Sequence, residues 1–299
     1  MSVPAAAPVA RVIASHGRRV VVEDAAGARR LCLLAGRRLR AACGDRVRVE
    51  AGGAGSECRV VEVLPRDNAL ERPDKRGRLQ TIAANLTQIV AVAAPSPPPD
   101  LYILDRYLGA AALMRARALV VLNKADLEAE AAHLRRALGE YSRIGYTVIE
   151  TSAVGAGGID ALAGALRSET SILVGQSGVG KSSLLNALLP GVDAATAELS
   201  RATGEGRHKT VVAVLHHLPR GGDVVDSPGV RDYAPPPVGP VDVSRAFVEI
   251  AAAAEGCRFA DCLHLREPGC RVRAAVEAGS ISPRRYESYR RLARRMRIA

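Results

Sequence analysis

Short apolar runs punctuated by turn residues fill residues 9–64: VARVIAS, RRVVVED, ARRLCLL, DRVRVEA and CRVVEVL, separated by HG, AAG, CGD and AGGAGSE. Such runs predict five short strands of a small antiparallel barrel. An OB-type barrel fits this size, and other small barrels fit it too. From about residue 80 the pattern changes. TQIVAVAA (87–94), ALVVLNKAD (118–126), YTVIETSA (146–153), SILVGQSG (171–178), VVAVLHH (211–217) and GDVVDSPG (222–229) are apolar runs with little polar alternation. Strands buried on both faces read this way. Helical stretches lie between several of them: DLYILDRYLGAAALM, AEAAHLRRALGEY, GIDALAGALR and KSSLLNALL. Alternating strand and helix predicts a mostly parallel α/β sheet. PSPPPD (95–100) reads as a loop, and APPPVGP (234–240) as a stiff linker and domain boundary. Two further helical segments and a basic tail follow. No internal repeat is evident. The expected fold is multi-domain, with segments 1–65, 66–234 and 235–299.

The 299 residues suit two or three domains, and a hydrophobic fraction of 48% supplies their cores. The formal charge is +11 and unevenly spread. Residues 1–65 carry 11 basic and 6 acidic side chains, residues 66–234 carry 19 and 18, and residues 235–299 carry 12 and 7. Basic flanks around a near-neutral middle favour a polyanionic partner over a generally Arg-rich surface. Seven Tyr, two Phe and no Trp argue against a single-strand binder that works by stacking bases. No run is long and apolar enough for a membrane span, and the N-terminus lacks the charged start of a signal peptide. A soluble cytoplasmic monomer with no membrane partner is expected. Only four of the 42 basic residues are Lys.

GQSGVGKS (175–182) matches G-x-x-x-x-G-K-[ST], follows the apolar run SILV and opens KSSLLNALL. Glycines let main-chain N–H groups wrap phosphates, Lys181 reaches the β and γ oxygens, and Ser182 ligates Mg²⁺. Expected nucleotide contacts are Gly175, Gln176, Ser177, Gly178, Val179, Gly180, Lys181, Ser182 and Ser183. NKAD (123–126) closes another buried run, and the Asp126 carboxylate can accept from guanine N1–H and the N2 amino group. Asn123 and the Lys124 stem would brace the ring, and TSA, through Ser152 and Ala153, offers a main-chain N–H to the guanine oxygen. Asp226 of DSPG fits the carboxylate behind Mg²⁺, and the Gly229 N–H fits a γ-phosphate sensor. In the polar loop ELSRATGEGRHKT, Thr210, with Thr203 in reserve, is the candidate Mg²⁺ cap. NKAD and TSA precede GQSGVGKS, the reverse of ordinary GTPases, so a circularly permuted GTPase domain is expected. The Asp226–Gly229 switch would then run almost directly into the C-terminal segment.

Cys257, Cys262, His264 and Cys270 give C-x4-C-x-H-x5-C. Three thiolates and an imidazole suit one closed, tetrahedral structural Zn²⁺. Cys32, Cys43 and Cys58 read as ordinary buried thiols, unpaired in a reducing compartment.

NKAD, TSA, GQSGVGKS, GRHKT, DSPG and the Cys/His cluster together resemble the ribosome small-subunit-dependent GTPase A (RsgA/YjeQ) family across essentially the whole chain. The resemblance implies an OB-fold RNA-binding barrel over 1–65, a permuted GTPase domain over 66–234 and a zinc-binding helical domain over 235–299. It implies hydrolysis of GTP to GDP stimulated by the small (30S) ribosomal subunit, a role in that subunit's late maturation, and contact with rRNA near the decoding region. Val230 stands where Ras-like enzymes place a water-orienting Gln, and the resemblance assigns that role to His208. The chain departs from the family at Lys209, usually Thr, which leaves Thr210 alone to cap Mg²⁺, and at Thr87, usually acidic. Lys181, His208 and Thr210 are the expected catalytic set. A GTPase timer competes with an RNA-binding module in which GTP only sets conformation. An ATPase is disfavoured by Asp126, and a large-subunit permuted GTPase by the barrel and the metal cluster. In the tail, Arg290, Arg291, Arg294 and Arg295 fall on one helical face as a candidate RNA contact.

Overall fold

In the computed structural model, which describes residues 7–50, 57–73, 77–190, 213–227, 238–239 and 241–296, the five N-terminal runs are all strands. They are β1 (Val9–His16), β2 (Arg19–Glu23), β3 (Arg29–Leu34), β4 (Arg46–Glu50) and β5 (Cys58–Val63). β1–β2, β2–β3 and β4–β5 pair antiparallel, β3–β5 pair parallel, and β1–β4 closes the barrel with Val9 opposite Arg48. This order is the Greek-key closure of an OB fold. Val20, Val22, Cys32, Leu34, Val47 and Val60 fill its interior. One expectation fails here: the parallel register sets Cys32 opposite Cys58, Cα–Cα 4.5 Å, and the two form a disulfide. Two cysteines remote in sequence become register partners only once β3 lies beside β5. Cys43 remains a buried thiol, donating to the Ile13 carbonyl at 3.3 Å, and burial pushes it up to about 12.

The chain divides into two units: residues 1–86, 159–173 and 182–234, and residues 87–158, 174–181 and 235–299. The first contains the barrel and a ribbon that the apolar pattern does not announce, β6 (Ala69–Pro73) against β7 (Leu79–Ala84). The ribbon joins the barrel where Ala84 N–H donates to the Cys43 carbonyl at 2.9 Å. Gly44 makes that approach possible: its φ is +88°, and a Cβ there would lie 2.2 Å from the Ala84 oxygen. Arg66 forks onto the buried Asp45 at 2.7 and 2.8 Å beside it. The same unit holds α3 (Ile159–Leu166), all but the last residue of β11 (Thr170–Val174), all but the first of α4 (Lys181–Leu188), β12 (Val214–His217) and β13 (Asp223–Asp226). β11 and β13 are parallel, but β12 runs antiparallel to β13 and pairs with the barrel at Ala14↔Val214. Arg11 of β1 bonds Asp223 at 2.5 Å and Thr170 at 2.8 Å, so barrel and α/β strands share one sheet.

The second unit has three parallel strands, β8 (Gln88–Ala93), β9 (Arg117–Leu122) and β10 (Thr147–Glu150), with α1 (Leu101–Leu113) and α2 (Glu128–Arg143). Every residue of β8 is buried, as its unbroken apolar run predicts. Asp100 caps α1, accepting from Tyr102 N–H at 2.9 Å. A 3₁₀ turn (Val241–Ala246), α5 (Val248–Ala254), α6 (Arg271–Glu277) and α7 (Pro283–Arg295) complete the unit. Their core includes Val243, Phe247, Ile250, Val272, Tyr289 and Leu292. The basic tail is helical as expected, but two of its arginines turn inward. Arg285, 1% exposed, bonds Asp105 of α1 at 2.7 Å and Glu249 of α5 at 2.6 and 2.9 Å. Arg284 reaches Asp105 and Glu140, and Ser288 and Tyr141 also donate to Asp105. Arg291 lies over the Tyr102 ring at 3.6 Å, and Arg294 and Arg295 are exposed.

Candidate functional site

Between the end of β11 and the start of α4, GQSGVG makes a loop whose glycines are required by geometry. Gly175 has φ +150°, and a Cβ on it would meet the Val92 oxygen at 2.3 Å. Gly180 has φ +92°, and its Cβ would meet Asn123 Nδ2 at 2.3 Å. No side chain fits at either position without moving the strand or motif beside it. Val179 is fully buried and anchors the loop, while Ser177, Ser182 and Ser183 are exposed. The Lys181 ammonium folds onto the loop, donating to the Gly175 and Gln176 carbonyls at 2.9 and 2.8 Å. A compact cation is thereby held where a polyphosphate would cross the loop.

The residues predicted to read a base lie against this loop. Asn123 follows β9, is 1% exposed, and donates from Nδ2 to the Val179 carbonyl at 2.8 Å. Its Oδ1 accepts from Thr151 Oγ1 at 3.1 Å. Asn123 thus ties NKAD, the phosphate loop and TSA together in a single buried set of bonds. Lys124 has φ +60° and donates through Nζ to the Ser96 carbonyl at 2.7 Å. Asp126 is exposed and makes no ion pair among the described residues, so its carboxylate faces outward. Ser152 N–H donates to Gly157 O, and Ser152 Oγ accepts from Gly155 N–H, shaping the turn that presents Ala153. Asp226 ends β13, the strand paired with β11. His208, Lys209, Thr210, Thr203, Gly229 and Val230 lie outside the described residues.

Residues 96–100 are participants that the motif reading overlooks. Asp100 N–H donates to Gln176 Oε1 at 2.8 Å, and Pro97 packs 3.4 Å from where a Gly178 Cβ would stand. Thr151 was legible as the first letter of TSA. Ser96 takes Lys124 Nζ, and Pro98 takes Gln176 Nε2 at 3.4 Å, through carbonyl oxygens, which every residue has, so residue type carries no signal for them.

Before α6 and at its N-cap, Cys257, Cys262, His264 and Cys270 converge, their ligand atoms all within 4.8 Å of one another. Cys257 and Cys270 sulfurs lie 3.5 and 3.6 Å from His264 Nδ1 and 4.0 Å apart. Three of the four are buried, and the cluster could hold a metal ion. The loop carrying them is fastened on two sides. Tyr286 and Tyr289 of α7 donate to the His264 and Leu263 carbonyls at 2.5 and 2.6 Å. Glu267 accepts main-chain N–H bonds from Leu263, Leu265 and Arg266 at 2.8–2.9 Å. Burial alone would raise the Glu267 carboxyl, but these N–H donors outweigh it and hold it at about 2.

The model of the RsgA GTPase family matches residues 63–234. Small ribosomal subunit biogenesis GTPase RsgA of Pseudomonas aeruginosa (strain LESB58) is 46% identical over 284 residues, covering 94% of this chain and 84% of that protein. The protein of the same name from Azotobacter vinelandii is 45% identical over 287 residues, with 94% and 83% covered. The crystal structure of YjeQ from Thermotoga maritima aligns with TM-score 0.76 at 32% identity, over 97% of this chain and 98% of that one. YloQ, described as a circularly permuted GTPase, aligns with TM-score 0.74 at 26% identity, over 98% and 96%. A phosphate loop bonded to a guanine motif that precedes it in the chain, behind an OB barrel and ahead of a Cys/His cluster, has the same explanation as these likenesses: the chain is a GTPase and belongs to the RsgA GTPase family.

Proposed function

We propose that this GTPase acts late in small ribosomal subunit maturation, docking on rRNA as a cytoplasmic monomer with no membrane partner, and that the subunit stimulates its turnover. The observation that carries the reading is the Asn123–Val179 bond, which ties NKAD to the phosphate loop although the two stand in permuted order. The curated relatives' printed name supplies the partner. In this reading residues 1–65 dock on RNA, residues 66–234 run the GTP cycle and residues 235–299 form a metal-stabilised helical domain. No described helix is long and apolar enough to cross a membrane.

GTP binds with its base on Asp126, Asn123 and Lys124, its oxygen on the Ser152–Ala153 main chain, and its phosphates along residues 175–183. Lys181 neutralises charge between the β and γ phosphates. Ser182 and Thr210, with Asp226 behind them, would hold Mg²⁺, which when bound supplies charge neutralisation on the same oxygens. His208 orients the attacking water and Gly229 N–H senses the γ-phosphate. With Val230 in the usual Gln position, the unstimulated rate is slow. Cys257, Cys262, His264 and Cys270 would hold one structural Zn²⁺, since three thiols and an imidazole with ligand atoms within 4.8 Å of one another suit a closed site with no open position. Val230 also favours a second reading, in which the chain is an RNA-binding module and hydrolysis is incidental.

The test is GTP turnover with and without small subunits, using Lys181→Ala as blank and large subunits as control, on protein whose zinc content is measured. Expected are about one zinc per chain and stimulation by small subunits alone. Equal turnover in all conditions overturns the assigned partner. His208→Ala should keep subunit binding and lose stimulation; unchanged stimulation removes His208 from the mechanism.

A further inference from the structure

The first helix of the second unit, α1, carries half of a capping box. Asp100 at its N-cap accepts from Tyr102 N–H at 2.9 Å and from Ile103 N–H at 3.4 Å. In a complete box the third helical residue is Glu or Gln and reaches back to the N-cap N–H. Here that residue is Ile103, whose side chain has no acceptor. The acceptor comes instead from the phosphate loop: Gln176 Oε1 takes the Asp100 N–H at 2.8 Å. Gln176 Nε2 turns to the Pro98 carbonyl at 3.4 Å. A main-chain N–H only donates and a carbonyl only accepts, so the two bonds fix the amide in one orientation. Pro97, Pro98 and Pro99 have no N–H, so Asp100 offers the first main-chain donor after Ser96. Their locked φ angles also set out the Pro98 carbonyl and the Asp100 N–H beforehand, at little entropic cost. α1 is itself pinned to α7, because its buried Asp105 receives Arg284 and Arg285. The phosphate loop is therefore tethered to a fixed point.

The main-chain carbonyl of the same residue holds Lys181, whose Nζ donates to Gln176 O at 2.8 Å and to Gly175 O at 2.9 Å. Side chain and carbonyl of one residue thus join α1 to the ammonium. We infer that Gln176 is a positioning residue for Lys181, its tether to Pro98 and Asp100 fixing the carbonyl from which the ammonium is aimed at the phosphates. A lysine stem has many rotamers, and an ammonium already bonded to two fixed oxygens has fewer to give up when a nucleotide arrives. The pattern G-x-x-x-x-G-K-[ST] leaves this position open, because a cradle of main-chain N–H groups makes no demand on the side chain. The tether does make one. Asn is a methylene short of residues 98–100, Glu lacks the donor and Met lacks both groups. This inference rests on the reading that Lys181 meets the β and γ phosphates, and adds the residue through which it is held.

The test is a double-mutant cycle on the affinity of the full chain for a fluorescent GTP analogue, crossing Gln176→Met with Lys181→Ala. Urea unfolding of each variant corrects for any unfolded fraction. Gln176→Met keeps the length of the stem and loses both bonds; Gln176→Asn, too short for the tether, repeats the cycle with a polar group. Each should weaken binding about two- to tenfold in the wild-type background, the worth of a hydrogen bond, and leave the affinity of Lys181→Ala unchanged. A residue that merely stabilised the loop or capped α1 would cost the same in both backgrounds. Equal weakening in both therefore overturns the positioning role, as does wild-type affinity in both Gln176 variants. Lys181→Ala binding as tightly as wild type overturns instead the placement of Lys181 on the phosphates, the reading beneath this one.

Discussion

In the proposed guanine site, Asp126 is the residue on which base choice turns. It is exposed at the end of NKAD, unpaired by any described cation, and stationed by Asn123 and Lys124, whose own bonds run to Val179 and Ser96. Two charge-assisted bonds to guanine are worth ~1.5–3 kcal/mol each, and Asn in its place loses the charge and turns a donor toward N1–H. Asp126→Asn should therefore weaken GTP at least about 100-fold and bring xanthosine triphosphate up toward it, as read by competition against labelled GTP. An unchanged preference for guanine would remove Asp126 from the site. The four letters of NKAD were legible in sequence because chemistry restricts residue type at each. Ser96 was not, because its contribution is a carbonyl oxygen.

Among the elements, α1 and α7 are joined by a buried ionic network. Asp105 of α1, 1% exposed, receives Arg284, Arg285, Ser288 and Tyr141, and Glu249 takes the other face of Arg285. Removing one partner of a buried pair strands the other's charge, at ~3–5 kcal/mol. Asp105→Ala should lower unfolding stability by about that much, read from the urea midpoint; a loss below about 1 kcal/mol would mean that water already screens the network. Nothing in the basic tail's composition distinguished Arg284 and Arg285 from the arginines that stay exposed. On a helix rich in one charge, only the neighbouring element decides which residues are buried. The β6–β7 ribbon was missed for a related reason. ALERP and LQTIAA are short and half polar, and the ribbon's place depends on Gly44 admitting Ala84.

At the scale of the molecule, His217 clasps the barrel to the α/β strands within the first unit. Its Nε2 meets Glu23 of β2 and its Nδ1 meets Asp223 of β13, both at 2.6 Å. Asp223 also holds Arg11, and Glu23 holds Arg29 at 2.7 Å. Burial opposes protonation of His217, but the bonds to Asp223 and Glu23 outweigh it and raise its pKa. A raised pKa stabilises the fold fully below the ordinary value of ~6.5, and that contribution is lost as pH climbs through the raised value. With the side chain 46% exposed, the effect is at most ~1 kcal/mol. The melting-temperature gap between wild type and His217→Gln should accordingly be widest near pH 6 and close toward pH 9; a constant gap would show that His217 acts by packing alone. What the sequence by itself determined here was chemistry and local order. Barrel strands, phosphate loop, the candidate guanine motif, the Cys/His cluster and their permuted succession follow from short-range patterns, because turn residues, apolar periodicity and ligand types are local properties. Only the tertiary structure decided the Cys32–Cys58 pairing, the antiparallel β12 and the inward arginines. Each depends on which distant segments become neighbours, and that is settled by strand register and by the burial of charge in a shared core.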